Sequence, residues 1–322
     1  MKIKLLTLNA KDKIHPWQEQ ASIESIKISR GKPVWTMVMP VFNQESRIKD
    51  VLSKVIVNAS LPFNMVLVDD ASDDRSYERS LSFIKKLKKK KNKHKKVIDI
   101  FLIKNKTPLY ETACDNQGFR LAKTKYIIEI QSDIHIEDFG FDRKMIDGMN
   151  KLNLGAVSGR HVHYFSMLEG RRAWLKYPFS LLSWRFFHSA KEGEGRLGHK
   201  IFSRTKKKMN NECFVGETVA RGPWLLNKFD LEKLSYLDEK NFFLGNDDHD
   251  YHRRLFNKLG KSVGYIPLNI YSVIEDGATR KQRQGINKLI YEYLSTNKKG
   301  SDEFRSFLRW YRPFKPIQKF DL

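Results

Sequence analysis

The sequence predicts an α/β fold, a mostly parallel central sheet flanked by helices, and three observations predict it. Apolar runs of strand length alternate with amphipathic stretches of helix length, repeating about every thirty residues between 33 and 138. The helical stretches carry their apolar residues at offsets of three and four, so each has one core face. Three of the strand runs end in polar residues: Asn43, then Asp69 and Asp70, then Asp133 and His135. Sheets of this class bind ligands beyond the carboxyl ends of their strands, so these endings converge on one candidate site.

The elements follow in order. The first thirty-odd residues are polar and irregular and read as an arm. "PVWTMVMPVFN" (Pro33 to Asn43) is an apolar run closed by Pro40 and Asn43, a buried strand. "ESRIKDVLSKVIVNA" places Ile48, Val51, Leu52, Val55 and Ile56 on one helical face. "NMVLVDDAS" is the second strand, "SYERSLSFIKKLKKK" the second helix and "VIDIFLIKN" the third strand. "YETACDNQGFRLAKT" is a helix with Ala113, Gly118 and Ala122 as small contacts, feeding the strand in "KYIIEIQSDIHIED". In that last stretch Asp133, His135 and Glu137 fall at every second position, on one face of an extended strand.

After Asn153 the alternation weakens. "GAVSGRHVHYF" reads as a strand in which His161 and His163 are ordinary strand residues, and "FVGETVARGPWLL" as a strand with a turn at Gly222-Pro223. "GNDDHDYHRRLFNKLG" opens with acids and closes with Gly260, as helix dipole and capping rules favour. "KSVGYIPL" is a short strand. The organisation expected is an arm over 1–32, a catalytic domain over 33–280 and a basic helical extension over 281–322. The domain would divide into a donor half at 33–153 and an acceptor half at 154–280.

Composition excludes several classes. The 322 residues are 40% hydrophobic and 12% aromatic, enough for a sizeable core. Two cysteines outside any CxxC pair give no disulfide framework and fit a reducing compartment. No window approaches the length of a membrane span and the N-terminus lacks a signal peptide's apolar core, so a cytoplasmic protein is expected. The net charge of +23 is concentrated in part in "KKLKKKKNKHKK", with nine lysines, a solvated run. Zinc-finger spacing, an RNP-like aromatic motif and a P-loop are all missing, so nucleic acid is not the expected partner. The basic surface and the Trp310/Tyr311 tail leave peripheral contact with a membrane open.

"MPVFNQE", "VLVDDASDD", "NQGFRLAKTKYIIEIQSD" and "GNDDHDYHRRL" resemble, in order, the motifs of the family 2 glycosyltransferases, across roughly residues 34 to 280. The family forms are P-V-Y-N-E, V-D-D-G-S, N-x-G-x-x-x-A before a strand and D-x-D, and E-D-x-D-x-x-x-R. The resemblance implies the GT-A fold, Rossmann-like, and transfer of a sugar from a nucleotide-diphosphate donor, a UDP-sugar favoured, to a glycan, glycolipid or glycoprotein hydroxyl. It implies that Pro40, Val41, Phe42 and Asn43 line the nucleotide pocket, with Glu45 in the same motif. Asp70 would accept the base N–H, with Asp69 beside it and Ser72 closing the loop. Asn116, Gly118 and Ser132 would lie near the donor's diphosphate or ribose, though Gly118 equally suits a close helix–strand contact.

The metal motif departs from the family form, because Gln131 stands at the first Asp position and only Asp133 survives. A second register, Asp133-Ile134-His135-Ile136-Glu137, resembles the D-x-H of the polypeptide N-acetylgalactosaminyltransferases, in which Asp and His bind Mn²⁺. The expectation is that Asp133 and His135 share one Mn²⁺ or Mg²⁺. In the last motif Asp247 takes the Glu position, Asp248 the general base of an inverting transfer, Asp250 the next acid and Arg254 the basic residue. The D-x-H register also suits a retaining enzyme, and the charge suits a noncatalytic polyanion-binding relative. Arg221 and Trp224 lie where acceptor-side residues are found in the family. Residues Leu168 to Met209, rich in aromatic and basic side chains, are expected to shape the acceptor side. After the fourth motif "IYSVIEDGATRKQR" holds no His, which leaves Glu275, Asp276, Arg280, Lys281 and Arg283 as substitutes.

Overall fold

The computed structural model describes residues 21–89, 95–164, 195–198, 213–216, 218–245, 247–272 and 318–320. The donor half runs β2 (Trp35–Val41), α1 (Ile48–Asn58), β3 (Phe63–Asp69), α2 (Ser76–Lys89), β4 (Val97–Lys104), α3 (Tyr110–Leu121) and β5 (Tyr126–Glu129). β4, β3, β2 and β5 lie side by side and parallel. Their continuous apolar runs follow from helices covering both faces. Trp35, Met37, Val38 and Met39 of β2 are fully buried, and α1 buries Ile48, Val51, Leu52, Val55 and Ile56 as its period predicts. α3 packs on β2 at Gly118, where a Cβ would lie 2.4 Å from Val38 Cγ1. That is the close helix–strand contact, and only a glycine permits it.

Four expectations change. The arm over 1–32 does not extend over β1 (Ser22–Lys27), which pairs antiparallel with β4 at the sheet edge. Only two of its residues, Ile23 and Ile26, are apolar and buried, too few for a strand period to show. The stretch Lys125 to Asp138 is two strands rather than one. β5 ends at Glu129, and β6 (Ile134–Ile136) leaves the main sheet to pair with β14 (Ile270–Ser272). The apolar residues run through the break, with Ile128, Ile130, Ile134 and Ile136 all buried, so hydrophobicity does not mark it. Gln131, Ser132 and Asp133 make the turn, closed by the Ile134 N–H on Gln131 O at 3.1 Å.

The stretch after 153 is likewise two strands, β7 (Ala156–Ser158) and β8 (His161–Tyr164), parted at Gly159, where a Cβ would lie 2.5 Å from Leu268. Helix α4 (Phe141–Lys151) precedes them. β9 (Gly195–Gly198), β8 and β11 (Thr218–Val219) form a three-stranded sheet. β10 (Cys213–Gly216), β12 (Trp224–Asn227) and β13 (Val263–Tyr265) extend the main sheet, β12 running antiparallel to β5. Helices α5 (Lys228–Lys233) and α6 (Asp247–Leu259) follow β12. The fourth change is at the C-terminus: β15 (Gln318–Phe320) pairs with β10, so a strand stands within the expected helical extension. The main sheet therefore has ten strands among the described residues, ordered β1-β4-β3-β2-β5-β12-β7-β13-β10-β15, and it reaches beyond 33–280 at both ends.

Candidate functional site

The loops leaving β2 and β3 are stitched together. Asn43 and Ala71 take left-handed φ values of 51° and 55°, turning both loops sharply. The Asn43 N–H donates to Ser72 Oγ at 3.2 Å, and the Asp73 N–H donates back to Asn43 Oδ1 at 2.9 Å. Gln44 N–H reaches Ser76 Oγ, Glu45 N–H reaches Asp74, and Arg79 pairs with Glu45 at 3.3 Å. Val41 O accepts the Asp70 N–H, and Val41 and Phe42 are buried beside the half-buried Pro40. Asp69 Oδ1 accepts the Ser72 N–H at 3.2 Å, while its Oδ2 is buried without a partner. Burial pushes the Asp69 carboxyl up to about 6.

Asp70, expected to accept the base N–H, is engaged within the protein. Its Oδ1 accepts the Leu109 N–H at 2.6 Å and its Oδ2 the Tyr110 N–H at 3.0 Å, with Asn105 Nδ2 at 3.4 Å. The carboxylate thus caps the start of α3 and holds Tyr110 at a φ of 68°, a conformation unfavourable for a bulky residue. Asn116, expected near the diphosphate, is held within the protein. Fully buried, it donates to Leu237 O and Glu239 and accepts the Leu237 N–H at 3.0 Å, so it ties α3 to the loop after α5.

A charged cluster lies between α3, the end of β5 and the start of α6. Arg221 is 4% exposed and contacts Asp115 and Asp247, with Glu111 at 3.4 Å. Glu129, fully buried, has no hydrogen-bond partner for either oxygen. One guanidinium therefore serves four carboxylates. Burial pushes Asp115 up to about 7 and Glu129 well above the usual carboxylate range, and the surrounding acids raise the Arg221 guanidinium further. Thr112 Oγ1 donates to Asp247 at 3.0 Å, a second tie between α3 and α6. The sequence reading passed over Glu111, Thr112, Asp115 and Glu129. An acid inside the otherwise apolar "YIIEI" and two acids four apart in "ETACD" were the available signals.

The turn after β5 borders this cluster. Gln131 Nε2 donates to Glu111 at 2.8 Å, and Ser132 is buried next to Asp133. Asp133 is half-buried, accepts from Ser272 Oγ at 3.3 Å, and is raised by burial. His135 keeps different company. Its ring stacks on Tyr271 at 4.7 Å, and its Nδ1 lies 3.1 Å from Asp50 of α1 without hydrogen-bond geometry. Burial and the nearby Lys54 lower its affinity for a proton. Glu137 faces the same helix, pairing with Lys54 at 3.2 Å. Asp133 thus stands at the end of the turn and His135 within β6, each with its own neighbours.

No group of three or more His, Cys, Asp or Glu side chains poised to hold a metal occurs among the described residues. The residues do fit a divalent cation completed by phosphate oxygens. Asp133 is a carboxylate that accepts from Ser272 Oγ and from its own backbone N–H, beside a cluster whose negative charge exceeds its positive. Mg²⁺ commonly binds through one or two carboxylates plus substrate phosphates.

At the start of α6, Asp248 is 9% exposed and its Oδ1 accepts the His249 N–H at 2.8 Å. Asp250 and Arg254 are structural: Arg254 bridges Asp250 at 2.7 Å to the carbonyls of Leu234 and Tyr236. Trp224 is fully buried and packs on Tyr251 and His252, so it belongs to the core rather than to a sugar platform. Residues 165–194, 199–212 and 273–317 fall outside the described residues. With them lie the expectations for the aromatic segment apart from β9, for Glu275 to Arg283 and for Trp310 and Tyr311. No described helix is long and apolar enough to cross a membrane.

The family model described as Glycosyl transferase family 2 matches residues 36–231. Among solved structures, S. aureus TarS 1–349 in complex with UDP is 12% identical over 74% of this chain and 60% of its own, with a TM-score of 0.45. TarS 1–349 with UDP-GlcNAc is 12% identical over 84% of this chain and 69% of its own, TM-score 0.46. GalNAc-T7 with UDP, GalNAc and Mn²⁺ is 11% identical over 74% of this chain and 44% of its own, TM-score 0.50. The chain spans 60% of the TarS 1–349 structure and under half of GalNAc-T7. No curated protein sequence matches it. At such identity the GalNAc-T7 likeness bears on the fold alone, the GT-A arrangement of a central sheet flanked by helices.

Proposed function

The chain belongs to glycosyl transferase family 2, and we propose that it moves a sugar from a UDP-sugar to a hydroxyl on a glycan, glycolipid or glycoprotein, with inversion. One observation carries the reading. The start of α6 brings Asp248 to the same buried cluster that borders the Gln131–Asp133 turn, beyond the carboxyl ends of the parallel strands.

In this reading the stitched loops at Pro40 to Asn43 and Asp69 to Ser72 receive the nucleotide. Asp69 rather than Asp70 accepts the base N–H, because Asp69 Oδ2 is the carboxylate oxygen without a partner. Asp70 instead fixes the start of α3, which carries Glu111 and Asp115. Asp133 would hold Mg²⁺ or Mn²⁺. Such a cation supplies the positive charge that a departing diphosphate requires. Asp248 takes the proton of the acceptor hydroxyl as the oxygen bonds the anomeric carbon and the bond to the diphosphate oxygen breaks. Arg221 balances the carboxylates that would otherwise repel one another across the α3–α6 contact.

The reading is tested with a panel of nucleotide-sugars assayed by thermal shift with and without Mn²⁺, then by turnover of the donor that binds. A metal-dependent shift with a UDP-sugar and a product of inverted anomeric configuration by NMR are expected. A retained configuration would overturn the inverting mechanism, and no shift with any nucleotide-sugar would overturn the donor class.

A further inference from the structure

Beneath Asp248 runs a chain of hydrogen bonds that the transfer chemistry above leaves unused. Trp224 Nε1 lies 3.1 Å from His252 Nε2. His252 Nδ1 lies 2.8 Å from Thr218 Oγ1, which lies 2.7 Å from His249 Nδ1. Proton counting fixes the first two steps of this chain. An indole N–H only donates, so His252 Nε2 accepts and carries no proton. The His252 proton is then on Nδ1 and is donated to Thr218. The Thr218 hydroxyl can accept twice but has only one proton to give; directed at His249 Nδ1, 2.7 Å away, that proton leaves His249 protonated on Nε2 alone. The Val219 N–H also points at His252 Nδ1, at 3.5 Å, which is the limit of a hydrogen bond, and it yields to the shorter Trp224 contact.

Packing keeps the chain in place. His252 is fully buried, edge-on to Trp224 at 5.3 Å, and Thr218 is 1% exposed on β11 against α6. His249 stands at the other end with its side chain 11% exposed, its Nδ1 3.7 Å from Asp248 Oδ1. Two histidines three apart on one helix face, joined through one threonine, make a path from the core to the carboxylate.

We propose that Trp224, His252 and Thr218 form a one-way relay that fixes the tautomer of His249, a positioning residue for Asp248 and the next carrier of its proton. The proposal rests on Asp248 being the base. In the resting enzyme His249 Nδ1 carries no proton and accepts from Thr218, so no side-chain N–H of His249 bonds the Asp248 carboxylate. Once Asp248 holds the acceptor's proton, its O–H bond breaks and an N–H bond forms at His249 Nδ1, the Thr218 hydroxyl turning away. The imidazolium then sits as an ion pair with the restored carboxylate. Loss of its Nε2 proton to water, and return of the remaining proton to that nitrogen through solvent, resets the ring. One proton enters from the acceptor and one leaves.

The direct test is two-dimensional ¹H–¹⁵N NMR of the histidine rings, in which nitrogen shifts report the tautomer without any substrate. The expected spectrum has His252 as the Nδ1–H form and His249 as the Nε2–H form, with His249 losing its single tautomer in Thr218→Val and keeping it in Thr218→Ser. With a working donor and acceptor, His249→Gln lowers kcat on the order of 10–10²-fold with donor KM unchanged, and added imidazole restores part of it. A wild-type His249 in the Nδ1–H form overturns the relay. So do His249→Gln and Thr218→Val at full kcat while Asp248→Asn is inactive. An active Asp248→Asn sinks the base assignment, and with it the proton transfer, while the tautomer spectrum still judges the lock.

Discussion

At the ends of β2 and β3, Asn43, Ser72, Gln44, Ser76, Glu45 and Asp74 exchange hydrogen bonds nearly one for one, and Glu45 has Arg79 as its own counter-charge. Around Arg221, one guanidinium faces Glu111, Asp115, Glu129 and Asp247, and Glu129 goes without a hydrogen bond. The first region is largely satisfied by its own hydrogen bonds, with Asp69 Oδ2 as a buried exception. The second carries more negative charge than it can balance, and burial makes that imbalance costly. Such a region is completed by protons or by a cation. In the proposed reaction a diphosphate, itself negative, would approach it together with a cation.

The largest effect that breaks this contrast is chemical. Asp248→Asn is expected to lower kcat by about 10²–10⁴-fold, measured with the confirmed donor, while UDP affinity by calorimetry stays unchanged. An equal loss of UDP affinity would move Asp248 from the transfer step to the donor pocket.

Next is Arg221→Ala, which strands the buried carboxylates and is expected to destabilise by about 3–5 kcal/mol in denaturant unfolding. The defect should shrink at pH 5.5, where protons replace the lost cation. Equal losses at pH 5.5 and pH 8 would mean that packing, not charge, is what Arg221 supplies.

The pH dependence of the wild type sharpens the same point. Asp69 and Asp115 rise to about 6 and about 7 in the folded state, and Glu129 and Asp133 rise with them. Carboxylates with raised values bind more protons folded than unfolded. Their contribution is complete below the unfolded values near 4 and is lost as pH climbs through 6 to 7. Tm should therefore increase on acidification from pH 8 to pH 5.5, and Glu129→Gln should flatten the slope. A Tm that falls over that interval contradicts the charge imbalance. In the stitched loops, by contrast, Ser72→Ala removes the acceptor of the Asn43 N–H and a side-chain hydrogen bond to Asp69, and should cost only about 1 kcal/mol.

The parallel half of the fold was legible because physics writes it twice. Strands covered on both faces read as unbroken apolar runs, and α1 repeats its apolar residues at helical spacing. What was not legible depended on contacts between distant residues. Asp70 and Asn116 stand at motif positions, yet their oxygens and nitrogens are taken up by Tyr110, Leu109 and the 237–239 loop. Arg221 meets Asp115 from 106 positions away, so nothing local distinguishes it from a surface arginine. Alternation assumes one continuous strand, and the Gln131–Asp133 turn breaks it, leaving Asp133 in the turn and His135 within β6.

The most direct test of the account is calorimetric titration of UDP into the wild type and Asp133→Asn, each with Mn²⁺ and with chelator. The account predicts that wild-type binding requires the cation, and that Asp133→Asn abolishes the Mn²⁺-dependent increment while the protein stays folded. Undiminished UDP affinity in chelator, or full Mn²⁺ dependence without Asp133, would contradict it.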